Sequence, residues 1–213
     1  GYRTGCKVAI IDKNGFYIGN DVFFLVADMH TPKQLETAEK KIVDYVKKYN
    51  IDIIVIGNGT ASRETESFVA DVIRKNNLNT KYLIANEAGA SIYSASKIAA
   101  EEFPDLDVTV RGAISIGRRI QDPLAELVKI DPKSIGVGMY QHDVNQGKLD
   151  ESLDAVIAYV VNSVGANLNT ASWALLSHIS GIKKNMAKNI VDYRKENGNF
   201  KNRKELLKVK GIG

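Results

Sequence analysis

The sequence predicts an α/β domain followed by an all-α domain, and three features carry that expectation. Short β-branched apolar runs alternate with amphipathic helical patterns through the first 130 residues. Helical spacing dominates the remainder. Within that remainder the phrase apolar-x-Gly-apolar occurs twice, as Ile179-Ser180-Gly181-Ile182 and Val209-Lys210-Gly211-Ile212, with the glycines thirty residues apart. The expected layout is an α/β domain over residues 1–130, a connecting loop over 131–146, and a helical domain over 147–213.

Lys7–Asp12 is a short apolar run of β-branched character, closed by the turn residues Lys13-Asn14-Gly15, and Phe16–Ala27 continues as one or two strands. Thr31 reads as a helix N-cap, with Pro32 in the first helical position and Gln34 completing a capping box. Leu35, Ala38, Ile42, Tyr45 and Val46 follow at helical spacing, so that helix should end near Tyr49. Ile51–Ile56 is almost continuously apolar, the pattern of a strand buried on both faces. Phe68, Val69, Val72 and Ile73 mark a second helix, and Lys81–Ala85 another strand. Antiparallel strands followed by strand, helix and strand give a mixed sheet.

Ser91–Glu102 is alanine-rich and reads as one helix ending before Pro104, and Gly112–Ile120 reads as the next. Asp122-Pro123 restarts the helical pattern with an N-cap and a first-turn proline. Asp131–Asp143 contains two glycines and little periodicity, as a loop would. Leu153, Val156, Ile157, Val160, Val161 and Val164 define an amphipathic helix closed by Gly165, and a further helix is expected from Lys183 to about Arg194.

At 44% hydrophobic and 25% charged residues the chain has the composition of a globular protein. No apolar run approaches the roughly 20 residues that span a bilayer, so no membrane partner is expected. The single cysteine, Cys6, excludes an internal disulfide and suits a cytoplasmic protein. The net charge of +4 is unevenly placed: Thr170–Gly213 holds ten Lys/Arg against three Asp/Glu, leaving the first 169 residues at −3. A mildly acidic body with a basic tail points to a polyanion partner, against the alternative of a solvated lysine surface.

The twin phrase refines that expectation. A glycine hairpin permits close backbone approach, and the helix after it directs N–H groups and a positive dipole end at an anion. Lys183, Lys184 and Lys188 adjoin the first copy, and Lys208 and Lys210 the second. With Gly181, Gly211 and Gly213 they form the candidate nucleic-acid-binding set. The competing reading makes both hairpins scaffolding between domains. Gly57-Asn58-Gly59-Thr60, between a strand and a helix, suits phosphate but lacks the Walker lysine and the third glycine of a dinucleotide site, so a tight strand-to-helix turn is the preferred reading. His142-Asp143 has no second ligand at metal spacing, and Trp173 and Leu176 read as core rather than as stacking platforms.

Five segments resemble the bacterial Tex transcription accessory family. They are Gly1-Tyr2-Arg3-Thr4-Gly5, Gly57 to Glu66 (GNGTASRETE), Asn86 to Ser91 (NEAGAS), Gln121 to Pro132 (QDPLAELVKIDP) and Tyr140 to Gln146 (YQHDVNQ). The resemblance runs the whole length. It implies a YqgF/RuvC-like domain of the ribonuclease H fold, then tandem helix-hairpin-helix motifs, the second cut short at Gly213. It further implies that this is a central piece of a longer protein, with the first strand of the sheet and its aspartate upstream. The relatives' Asp-Glu-Arg corresponds here to Asn86-Glu87-Ala88, and the third acid of their two-metal site could only be Asp122, whose N-cap role explains it without catalysis. Glu87 and Asp122 are therefore weak catalytic candidates. No cofactor is expected, except Mg²⁺ if a nuclease is present.

Three functions follow. The first is a non-catalytic transcription scaffold gripping the RNA or DNA backbone. The second is a Mg²⁺-dependent nuclease in the intact protein. The third is a protein–protein scaffold of the transcription machinery.

Overall fold

Strands β1 (Cys6–Ile11) and β2 (Tyr17–Phe23) pair antiparallel around a turn built by one carboxylate. Asp12 Oδ1 accepts the N–H groups of Asn14 and Phe16, both at 2.8 Å, while Gly15 takes φ +81°. The computed structural model describes residues 3–26 and 30–212, in two units, Gly1–Gln121 and Asp122–Gly213.

In the first unit, helix α1 (Pro32–Tyr49) starts with the expected reciprocal cap between Thr31 and Gln34. Strand β3 (Ile53–Gly57) leads through α2 (Ser62–Lys75) into β4 (Lys81–Ala85), its parallel neighbour. Among the described residues the strands thus form one antiparallel and one parallel pair. Helices α3 (Ala90–Ser94), α4 (Lys97–Glu102) and α5 (Val108–Gln121) follow. Helix α5 lies against β1 and against both strands of the second pair. Gly117 lets it come close, since a Cβ there would stand 3.1 Å from Ile11 Cδ1. Phe23, Leu25, Ile42, Val46, Ile56, Val69 and Val72 form the core.

Two expectations in this unit are corrected. Ser91–Glu102 is two helices rather than one, because the Ser96 hydroxyl accepts the Ala99 N–H at 3.2 Å and starts a new helix. A capping serine here overrides the helix preference of its alanine neighbours. The strand expected to be buried on both faces begins at Ile53, which is 44% exposed. It opens a pair with one hydrogen-bonded neighbour, so its first residue is not enclosed.

Asp21 fastens β2 to α1. Its carboxylate accepts from Lys41 Nζ at 2.9 Å and the Tyr45 hydroxyl at 2.8 Å. Burial pushes this carboxyl up, but the bonds from Lys41, the Val22 N–H and Tyr45 outweigh it and hold it below the usual carboxylate range. A depressed native value means the stabilisation is complete above the unfolded carboxylate's pKa and lost as pH falls through the native one. Asp21→Asn is expected to cost about 1–2 kcal/mol at pH 7 and to flatten the acid side of the stability profile, as read from urea titrations between pH 2 and 7.

The second unit begins earlier than the boundary expected near residue 130. Asp122 Oδ1 accepts the Ala125 N–H at 3.0 Å and caps α6 (Pro123–Leu127). Ala125, Leu124 and Val128 belong to the helical core, so the division falls after Gln121. The expected loop over 131–146 contains α7 (Pro132–Ile135), capped by Asp131, which repeats the Asp-Pro signature of residues 122–123.

Then come α8 (Gln146–Val164), α9 (Trp173–Leu176), α10 (Lys184–Asn197) and a 3₁₀ helix over Arg203–Lys208. Val161, Ala171, Leu175, Leu176, Ala187, Ile190, Phe200 and Val209 fill the core. The apolar stripe expected on α8 is only partly used. Val161 is fully buried, whereas Val156, Val160 and Val164 are exposed, because the core touches one flank of the stripe.

Candidate nucleic-acid interface

Both copies of the glycine phrase fold into the same turn. The Ile182 N–H reaches the Ile179 carbonyl at 2.9 Å with Gly181 at φ +86°. The Ile212 N–H reaches the Val209 carbonyl at 3.1 Å with Gly211 at φ +85°. A positive φ at the third residue is the signature of a type II turn, which glycine enters without steric cost. A Cβ at Gly181 would meet nothing within 4 Å, so any penalty there is purely one of backbone conformation. Gly181→Ala is expected to destabilise this unit by about 1–2 kcal/mol, measured by urea unfolding with the single tryptophan, Trp173, as the probe.

Each turn is tied to a helix by an asparagine that sequence reasoning passed over. Asn162 on α8 donates Nδ2 to the His178 carbonyl and accepts the Ser180 N–H, both at 2.9 Å. Asn189 on α10 donates Nδ2 to the Lys210 carbonyl at 2.8 Å. The available signal was weak: asparagine is a poor interior helix residue, so its presence there calls for a reason.

Helix α10 starts immediately after the first turn. Its N-cap is Lys183, whose side chain makes no capping bond to the first-turn N–H groups beside Gly181. First-turn N–H groups and the helix dipole there favour an anion. Lys183 and Lys184 are exposed at this end. Lys184 Nζ and Lys188 Nζ lie 4.9 and 4.8 Å from the centre of the Trp173 ring, so the half-buried indole holds two ammonium groups beside the turn. Leu176 is core, as expected.

The second turn is less strongly charged. Lys210 is exposed, but Lys208 Nζ lies 3.3 Å from Glu205 Oε1. Gly213 lies outside the described residues. Arg194 serves the fold: it donates to the carbonyls of Leu168 at 2.8 Å and Ala171 at 3.0 Å, and burial pulls its guanidinium below the ordinary value.

The acidic candidates have local roles. The Glu87 N–H donates to Asn58 Oδ1 at 3.1 Å, and its carboxylate rests on the Gly57-Asn58-Gly59 turn. A Cβ at either glycine would overlap that carboxylate. An acid therefore occupies the side of the turn considered for phosphate. Asp122 is the N-cap of α6. Among the described residues no three or more His, Cys, Asp or Glu are grouped so as to hold a metal ion.

Residues 1–121 match the Tex protein YqgF-like domain and residues 161–213 the helix-hairpin-helix motif. Over its whole length the chain is 53% identical to Protein YhgF of Escherichia coli K12 and 51% identical to Transcriptional accessory protein Tex of Neisseria gonorrhoeae. It is also 51% identical to human S1 RNA-binding domain-containing protein 1. The chain spans 27% of each bacterial relative and 21% of the human one, less than a third of the curated relatives it matches.

Proposed function

The chain belongs to the Tex protein family, carrying its YqgF-like domain and helix-hairpin-helix motif, and on that premise we propose that it grips the phosphate backbone of RNA or DNA as a non-catalytic part of a transcription accessory protein. One observation carries the reading. The Gly181 turn opens onto the N-terminus of a 14-residue helix with no side-chain cap, beside exposed Lys183 and Lys184. Backbone N–H groups hold a phosphate there, and the lysines add Coulomb attraction. Such contacts read no base identity and release counterions. The gonococcal relative's name supports the link to transcription.

A salt titration tests the proposal, using labelled RNA and DNA strands and duplexes between 50 and about 300 mM salt. Affinity should fall linearly with log salt concentration and be indifferent to base sequence. Absence of binding at the lowest salt would make the hairpins scaffolding. The local roles of Glu87 and Asp122 support the non-catalytic part. Incubation of the intact, full-length protein with Mg²⁺ should leave RNA, DNA and hybrid substrates intact. Cleavage that disappears in Glu87→Gln would establish the nuclease instead.

A further inference from the structure

Beside the first turn lies an open groove of about 400 Å³ that the phosphate grip does not use. Its wall is one face of α8, from Ala158, Tyr159, Asn162 and Ser163, and its rim is Ser180 of the turn itself. It is shallow and widely open to solvent, suited to covering one face of a flat ring rather than to enclosing a ligand. Tyr159 is 74% exposed, and Val156 and Val160 beside it are exposed as well. A tyrosine held in solvent on an apolar helix face offers a flat ring with nothing stacked on it among the described residues.

We propose that this groove takes an unpaired nucleobase, stacked on Tyr159, from a single strand whose phosphate is held at the Gly181 turn. The inference rests on the phosphate-grip reading and adds the class of nucleic acid to it. Continuity is the first argument. Ser180 is both rim of the groove and neighbour of Gly181, and Asn162 lines the groove while bonding the turn at Ser180 N and His178 O. Base site and phosphate site are therefore positioned by the same side chain.

Charge is the second argument. Lys183 and Lys184 follow the turn directly, so the groove opens beside an end of the unit that attracts a polyanion. The third is chemistry. In a duplex both faces of each base are covered by neighbours, whereas single strands expose faces that stack on aromatic side chains. The groove's polar groups suit the base edges without selecting one. Asn162 Nδ2 is already committed to two carbonyls, and Ser163 Oγ donates to Tyr159 O, leaving lone pairs as acceptors. Stacking without fixed edge readout tolerates any base.

The test compares the chain with its Tyr159→Ala, Tyr159→Phe and Lys183→Glu/Lys184→Glu forms, by fluorescence anisotropy of labelled single-stranded RNA, single-stranded DNA and duplex DNA. Tyr159→Ala should weaken single-strand binding about tenfold and leave duplex binding unchanged. Tyr159→Phe keeps the ring and should bind single strands as the parent does. The exposure of Tyr159 makes unfolding an unexpected result of its truncation, and circular dichroism checks that directly. Unchanged single-strand affinity in Tyr159→Ala, with both strand forms weakened by the lysine reversal, would overturn the base site and leave the phosphate grip standing. Equal losses on strands and duplexes would also overturn it. Failure of the parent chain to bind either form at low salt would remove both readings together.

Discussion

Reversing charge at Lys183 and Lys184 together is expected to weaken nucleic-acid binding by at least about tenfold near 0.1 M salt, and to lower the slope of log affinity against log salt by about two. Both side chains are exposed at the start of α10, where first-turn N–H groups and the dipole already favour an anion. Carboxylates placed there cancel that preference as well as removing two cations. The loss should be uniform across base sequences, since phosphate contacts position a strand without reading it. Arg74→Glu in the α/β unit is the control: that arginine is exposed and pairs with Asp71 at 2.7 Å. It makes half the charge change of the double reversal, at a place that offers no turn, and should lower affinity by far less than half as much on a logarithmic scale. Trp173 supplies a second readout. Lys184 lies 4.9 Å from its ring centre, so Lys184→Glu should change indole emission even without ligand.

Ile190→Ala should produce the largest stability loss, about 2–5 kcal/mol. Ile190 is fully buried on α10, in the core with Leu175, Leu176, Ala187 and Phe200. Truncation removes three methyl or methylene groups from water-free packing and leaves a void that a helix held at both ends closes poorly. For a unit of this size each kcal/mol lowers the midpoint by about 4–8 °C, so a fall of about 8 °C or more is expected in a thermal melt followed by Trp173. Binding should fail with it above the new midpoint, because α10 presents its N-terminus at the first turn and holds the second through Asn189. Below that temperature, affinity should match the parent.

What was legible in the sequence was local. Thr31-Pro32-Gln34 and Asp122-Pro123 announce helix starts because their side chains bond backbone a few residues away, and the structure places both caps as read. Lys81–Ala85 is the fourth strand at the same bounds. Gly181 and Gly211 are legible for the same reason: a turn that needs positive φ selects glycine. Ser96 and Asp131 carry signals of the same kind, and they break one expected helix and shorten one expected loop. Other features depend on residues far apart in sequence. Nothing near Glu87 says that its carboxylate rests on Gly57 and Gly59. Nothing near Trp173 says that Lys184 and Lys188 cover it, which requires α9 to fold back on α10. The apolar stripe of α8 was visible, but which flank the core would cover depends on the neighbours of Val161.

The matching geometry of the Gly181 and Gly211 turns bears on avidity. If the Gly211 turn holds phosphate as is proposed for the Gly181 turn, two weak grips in one folded unit convert the second contact into an intramolecular event, governed by an effective concentration rather than by the bulk one. Affinity should then rise in a step, not smoothly, once an oligonucleotide is long enough to reach both turns. Shorter oligonucleotides would exchange rapidly at a single turn. A strand spanning both would leave only when the two released it together, so its residence time would lengthen far more than its association rate changed.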